Sequence, residues 1–277
     1  MGKILLIDVD GTLCGRKNTI PESAVQAIRM ARINGHRIFI CTGRSKAEIY
    51  EDIWAVGLDG CIGGNGCFIE VNGEMLMHKK LTEEQCRHVV DWCKERNMEF
   101  YLECNSGLYP SEHYKDKVFA EYREKYGKDP EYGQFFERMI YGASPYRDDV
   151  NKISFMLNSW QDYLDAQKEF PELFIGYWGG EAPDARYGDV SPKNVNKANA
   201  IEYLLEYLGE TKENVISFGD AAVDLTMFAC SGYSVAMGSG EEGAKKAADY
   251  VTTDTDDDGL WNAFVYLKLI EGEMKYA

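Results

Sequence analysis

The sequence predicts an α/β protein, a doubly wound parallel sheet with a smaller α+β unit inserted in mid-chain. Three observations predict it. Short apolar runs alternate with helical patterns through the first third of the chain and again through the last third. Several of those runs stop abruptly at acidic or glycine-containing turns, as buried parallel strands do. Between the two thirds the pattern changes to strands grouped around a few helices, which marks a separate α+β layer.

The elements follow in order. Residues 3–7 form an apolar run that ends at Asp8. A helical pattern opens at Pro21, tolerated in a first turn, and ends at Gly35. Residues 36–41 read as a second strand, 45–56 as a helix and 58–62 as a third strand. Asn72-Gly73, flanked by alternating residues over 66–79, is the strongest short hairpin signal. In the middle, a helix is expected over 82–96, a strand over 99–103, an aromatic- and charge-rich stretch to Tyr146, a strand over 152–157, a helix over 161–170, and strands over 174–178 and 185–190. The last third resumes the alternation: helix 196–208, strand 214–218, helix 225–230, strand 233–237, helix 241–248 and strand 250–253. The domains expected are therefore a split core, 1–81 with 188–277, around an insertion of 82–187.

Composition removes several function classes. The chain has 277 residues, of which 45% are hydrophobic and 13% aromatic, enough for a sizeable core. Thirty Lys+Arg against 46 Asp+Glu leave a formal charge of −16. That field opposes nucleic acid and anionic membrane as partners, but a small anionic substrate responds to local groups instead. No apolar run is long enough to span a bilayer, and Asp8 interrupts the first one too early for a signal peptide. The 8 cysteines form no C-x-x-C pair, and several lie in apolar runs. They read as reduced core thiols, and the expected location is the cytoplasm. A monomer or a small homo-oligomer is expected.

The chemistry sits at strand ends, where open α/β sheets bind ligands. The first strand ends in Asp8-Val9-Asp10-Gly11-Thr12. One intervening residue turns both carboxylates toward one side, and such a pair can divide the work of nucleophile or metal ligand and general acid/base. A polar turn would account for it equally well. The second strand ends in Thr42-Gly43-Arg44-Ser45 before a helix, a candidate anion cradle in which Arg44 adds a fork of donors. An ordinary strand–helix turn is the plain alternative. Lys197 opens a helix and could reach a phosphoryl oxygen, although a lone Lys is more often a solvated one. Gly219-Asp220 ends another strand with Asp224 one helical turn on, a pair suited to a hard cation such as magnesium.

Taken in order, acid pair, Thr-Gly-Arg, Lys and Gly-Asp with a second Asp, the chain resembles the haloacid dehalogenase superfamily of phosphohydrolases. Within it the chain is similar to the Cof-type subgroup, with its large inserted cap. Asn65-Gly66 and Ala236-Met237-Gly238 resemble that subgroup's pattern as well. The resemblance implies a Rossmann-like core with an α+β cap, and a Mg2+-dependent phosphatase acting on a small phosphorylated molecule, by default a sugar phosphate. It implies Asp8 as the nucleophile that becomes an aspartyl-phosphate and Asp10 as acid, then base. Thr42, Gly43, Lys197 and Arg44 fall to phosphate binding. Asp8, Asp220 and the Asp10 carbonyl fall to the metal, with Asp224 a ligand directly or through water. Asn65, Tyr177, Trp178 and Arg186, with Tyr187, are candidate substrate contacts, and hinges for cap closure are expected near Leu81 and 188–193. Two departures stand out: Val223 where the family usually has Asn, and Ser239 where the subgroup often has Asn.

Other readings of the same residues remain open. A phosphotransferase or mutase shares every residue named. A receiver-like module phosphorylated on Asp8 would need neither the insertion nor Asp10. Gly238-Ser239-Gly240-Glu241-Glu242-Gly243 spells a dinucleotide fingerprint, but two Glu stand where a pyrophosphate would lie. Asp254-x-Asp256-x-Asp258-Gly259 begins like a calcium loop, but Val265 holds the place of its bidentate Glu.

Overall fold

A computed structural model of the chain describes residues 2–15, 18–130 and 133–275. The chain forms two compact units, one of residues 2–44, 49–78 and 195–275, the other of residues 45–48 and 79–194.

The first unit begins with β1 (Ile4–Ile7), α1 (Glu22–Ile33), β2 (Arg37–Cys41), α2 (Glu51–Ala55), β3 (Gly60–Gly63), β4 (Phe68–Val71) and β5 (Glu74–His78). The second unit contains α3 (Glu83–Glu95), β6 (Phe100–Cys104), β7 (Leu108–Pro110), α4 (Tyr114–Tyr126), α5 (Gly133–Glu137), β8 (Val150–Met156), α6 (Trp160–Glu169), β9 (Leu173–Trp178) and β10 (Tyr187–Pro192). The first unit is completed by α7 (Lys197–Leu208), β11 (Val215–Gly219), α8 (Leu225–Ala229), β12 (Tyr233–Ala236), α9 (Glu242–Ala247), β13 (Tyr250–Val251) and α10 (Gly259–Tyr266).

The eight strands of the first unit are ordered β13-β12-β11-β1-β2-β3-β4-β5. Pairing is parallel from β13 to β3 and antiparallel through β4 and β5. Successive residues of β1 feed opposite faces. Leu5 and Ile7 join the core beneath α1, α2 and α10, whereas Ile4 and Leu6 join the core beneath α7, α8 and α9. A strand covered on both faces is apolar throughout, which is why it reads as a run rather than an alternation. From β1 the chain moves one way to β2 and β3, and later returns to build β11, β12 and β13 on the other side. The direction of winding therefore reverses between β1 and β11, and a doubly wound sheet opens its ligand crevice beyond the strand ends at such a reversal.

The second unit has a five-stranded sheet ordered β7-β6-β8-β10-β9, antiparallel throughout. Its α3 begins with a complete capping box of Thr82 and Gln85. One face of this sheet packs on α3 and α6 through Val89, Trp92, Phe100, Leu102, Phe155, Ala166 and Phe170.

Several expectations are corrected. The helix expected over 45–56 is two pieces, a single 3-10 turn over Lys46–Glu48 and α2, because Tyr50 adopts an extended conformation between them. The aromatic stretch before Tyr146 holds β7, α4 and α5. In α4 only Tyr114 and Val118 are buried, so no apolar stripe announces the helix. Residues 131–132 of that stretch lie outside the described residues. The units part at 78/79 and 194/195, so β10 lies whole in the second unit rather than being divided at 187/188. The segments expected as hinges are packed parts of that unit. Leu81 is buried in its core and donates its N–H to Val150, and residues 188–192 are paired in β10. No described helix is long and apolar enough to cross a membrane.

Candidate active site

The end of β1 delivers Asp8 into the crevice, and the end of β11 delivers Asp220. The Asp8 N–H is spent on the Phe218 carbonyl, at 2.9 Å, which ties the two strand ends together. Gly11 leaves the first strand with φ +88°, and a Cβ there would stand 2.2 Å from Asp220 Oδ2, so only glycine brings the Asp8–Thr12 turn this close to Asp220. The Thr12 hydroxyl donates to Asp220 Oδ1 at 3.3 Å. A single 3-10 turn, Ala222–Asp224, then brings Asp224 back over its own strand. Asp224 Oδ2 accepts the N–H groups of Asp220 and Ala221 at 3.1 and 3.2 Å. Glu241 steadies the same turn by accepting the Ala222 N–H at 2.8 Å, so the dinucleotide-like string supports an acidic loop and has its acid turned to that task.

Carboxylate oxygens of Asp8, Asp220 and Asp224 lie within 4.8 Å of one another. Lys197 is 2% exposed and donates to Asp8 Oδ1 at 2.8 Å and to Asp224 Oδ1 at 2.7 Å. Burial pushes the Asp8 carboxyl up to about 7, with Asp224 adding to the rise and Lys197 opposing it. Burial likewise lifts Asp220 to about 6, again with Asp224 adding. Burial works against the Lys197 ammonium, but Asp8 and Asp224 outweigh it and its pKa moves up. One lysine thus offsets three acids incompletely. An all-oxygen donor set with that surplus of negative charge fits a hard divalent cation.

The neighbouring strand end completes this side of the crevice. Thr42 is buried at the end of β2, and its Oγ1 accepts the Arg44 N–H at 3.1 Å, which leaves its own O–H to donate. Gly43 lies against Asn65, whose Oδ1 would stand 3.2 Å from a Cβ at that glycine. Asn65 takes a left-handed conformation, φ 54°, and donates its N–H to the Thr42 carbonyl. Gly66, φ +103°, passes so close to α7 that a Cβ would meet the Asn196 carbonyl at 2.3 Å. Asn196 caps α7 by accepting the Asn199 N–H, and Lys197 is the first residue of that helix. The expected helix N-terminus after Thr42 is absent in the form foreseen, because the Ser45 N–H is already taken by the Glu48 carboxylate at 2.9 Å.

Asp10 stands apart from the three clustered acids. Its side chain is 64% exposed, and Arg44 holds it by a fork, Nε to Oδ2 at 2.9 Å and Nη2 to Oδ1 at 2.5 Å. The candidates Tyr177, Trp178 and Arg186 belong to the second unit. Alternation along β9 puts Tyr177 against Trp160 and Tyr163 of α6, on one face, while Trp178 stacks on Tyr187 on the other. Those two side chains therefore do not share a pocket. Arg186 is paired with Glu121 at 2.9 Å. Val223 is exposed and forms no part of the acid cluster, and the Ser239 hydroxyl meets that of Thr255 at 3.4 Å. Two residues escaped the sequence reading. Thr12 and Glu241 brace the acids, and the only signals for them were adjacency to Asp10 and the glutamate of a string read as a decoy.

A doubly wound sheet with three acids and a lysine gathered at its winding reversal is suited to hold a divalent cation and to meet a phosphoryl group. The haloacid dehalogenase-like hydrolase family matches residues 5–264, and the chain belongs to it. Among curated relatives, YkrA of Bacillus subtilis, which bears the provisional name of a phosphatase, is 26% identical over 97% of this chain and 99% of its own. The 5-amino-6-(5-phospho-D-ribitylamino)uracil phosphatase YcsE of the same organism is 27% identical over 94% of each chain. Among solved structures, the subclass IIB sugar phosphatase BT4131 superposes with a TM-score of 0.75 at 25% identity, covering 97% of this chain and all of that one. The protein is a phosphatase of this family.

Proposed function

We propose that the protein is a magnesium-dependent phosphomonoester hydrolase that works through an aspartyl-phosphate on Asp8, with a small sugar phosphate as substrate. The observation that carries this reading is the cluster of Asp8, Asp220 and Asp224 bridged by buried Lys197. Asp8, Asp220 and Asp224, with the Asp10 carbonyl, would hold the cation, which supplies positive charge beside the phosphoryl oxygens. The likeness to a sugar phosphatase supports the substrate class.

The reaction then needs two displacements. Asp8 attacks phosphorus, the bond from phosphorus to the leaving oxygen breaks, and Asp10 gives that oxygen its proton. Water next attacks the phosphorus while the ionised Asp10 takes its proton, and the bond to Asp8 breaks to release phosphate. Lys197 and the Thr42 hydroxyl face the charge that spreads over the phosphoryl oxygens in each transition state. The second unit would act as the cap that selects the leaving group, and Trp178, which is exposed on the side facing away from α6, is its candidate, whereas Tyr187 beneath it is buried among Tyr114, Val118 and Phe136.

The test is hydrolysis of an aryl phosphate with Mg2+. Chelation should abolish turnover, and Asp8→Asn should remove it while the fold is retained. Undiminished turnover by Asp8→Asn, checked for deamidation by mass spectrometry, overturns the nucleophile. A panel of phosphorylated metabolites then tests the substrate class.

A further inference from the structure

We propose that Arg44 is the positioning residue of Asp10 and not a ligand of the phosphoryl group. The inference rests on the two-displacement reading above and adds a part to it.

The edge of the guanidinium formed by Nε and Nη2 is the one that clasps a carboxylate or phosphate with two parallel bonds. In this protein that edge is committed to the two oxygens of Asp10. A phosphoryl group could use it only by evicting a carboxylate that fits it equally well. Arg44 is also held from behind. Its Nη2 donates to Asn18 Oδ1 at 2.5 Å, and its guanidinium lies 5.8 Å from the centre of the Tyr50 ring. Its N–H is taken by Thr42 Oγ1, and its carbonyl accepts the Gly64 N–H at 2.7 Å. The result is a rigid arm, its side chain only 12% exposed, gripping an acid that is otherwise 64% exposed.

The asymmetry explains the arrangement. An exposed aspartate samples several side-chain rotamers, and most of them point its carboxyl away from a leaving oxygen. Two bonds from a planar donor fix the carboxyl in both direction and plane, which a lysine ammonium, a point charge, does not do. Proton transfer is sensitive to such placement, and a misplacement of about 1 Å costs about 100-fold in rate. Arg44 is moreover the last residue of the first unit before the segment 45–48, which belongs to the second.

The experiment is a double-mutant cycle with Asp10→Asn and Arg44→Lys, read on an alkyl phosphate and on an aryl phosphate with a good leaving group. Arg44→Lys should lower kcat on the alkyl phosphate by about 10- to 100-fold and much less on the aryl phosphate, whose leaving oxygen needs little protonation. KM and the inhibition constant of inorganic phosphate should stay within about twofold, since binding and chemistry separate for a positioning residue. Asp10→Asn with Arg44→Lys should be no slower than Asp10→Asn alone. Should Arg44→Lys fold poorly in thermal melts, Asn18→Ala, which loosens the arm from behind, should give a smaller drop of the same kind. Additive losses in the cycle, or a rise of about tenfold in the phosphate inhibition constant, would make Arg44 a phosphate ligand and overturn the proposal. Undiminished turnover by Asp8→Asn would instead overturn the underlying reading, so the two failures are distinguishable.

Discussion

Lys197 occupies a position that helices disfavour for a cation. As the first residue of α7 it faces the positive end of the helix dipole, and it is buried as well. Asp8 and Asp224 offset both costs, but the cluster keeps its excess of negative charge. The consequence is a definite pH dependence. Asp8 and Asp220 titrate near 7 and 6 in the folded chain, against 3.8 for an unperturbed aspartate. Between those values the folded chain binds more protons than the unfolded one, so stability without added divalent cation should fall as pH rises from about 4 to about 7, then level off. Thermal melts in chelator across that range check the sign. By the same argument Asp8→Asn should melt higher than wild type at pH 8 in chelator, because it removes a charge that the fold on balance disfavours. A lower melting temperature at pH 8 would mean that the Lys197 pairing dominates.

At the scale of elements, backbone geometry decides which side chains reach the site. The turn from β4 to β5 was legible from Asn72-Gly73 alone, because both residues take positive φ, 51° and 83°, as a tight hairpin turn requires. The loop before it was less legible. Gly66 lets the Gly64–Gly66 turn rest against the cap of α7, so Gly66→Ala should destabilise the first unit by about 1–3 kcal/mol and lower turnover by shifting Lys197. Denaturant titration with a parallel rate measurement checks both. In β9 the period of two separates neighbours that the sequence grouped together. Tyr177→Ala should destabilise the second unit through its lost packing on α6. Trp178→Ala should also cost stability, through its lost stacking on buried Tyr187, and should in addition alter KM across a substrate panel. Equal effects of the two substitutions on KM would contradict the assignment of faces.

Across the whole molecule, residues far apart in sequence converge. The Lys197–Asp8 pair spans 189 positions. A cation held by Asp8, Asp220 and Asp224 would tie the first strand to β11, so it should stabilise the first unit by mass action, by about 2.7 kcal/mol at a hundred times its dissociation constant. A melting temperature that rises with Mg2+ concentration, and does so less in Asp220→Asn, checks it. The net charge of −16 sharpens in the same light. Three of its acids sit in one cluster, an excess of negative charge that a divalent cation would offset.

The sequence by itself determined the architecture and the order of the motifs, since apolar runs, capping residues and turn glycines act over a few residues and leave local traces. It placed Asp8, Thr42, Lys197, Asp220 and Asp224 at element ends for the same reason. It could not show that Lys197 is buried between two acids, that Asp10 is gripped by Arg44, or that Tyr177 and Trp178 face opposite ways. It also missed α4, whose buried side is too narrow to leave a pattern. Those facts depend on which distant strands are neighbours and on how close two backbones come, and only the tertiary structure decides that.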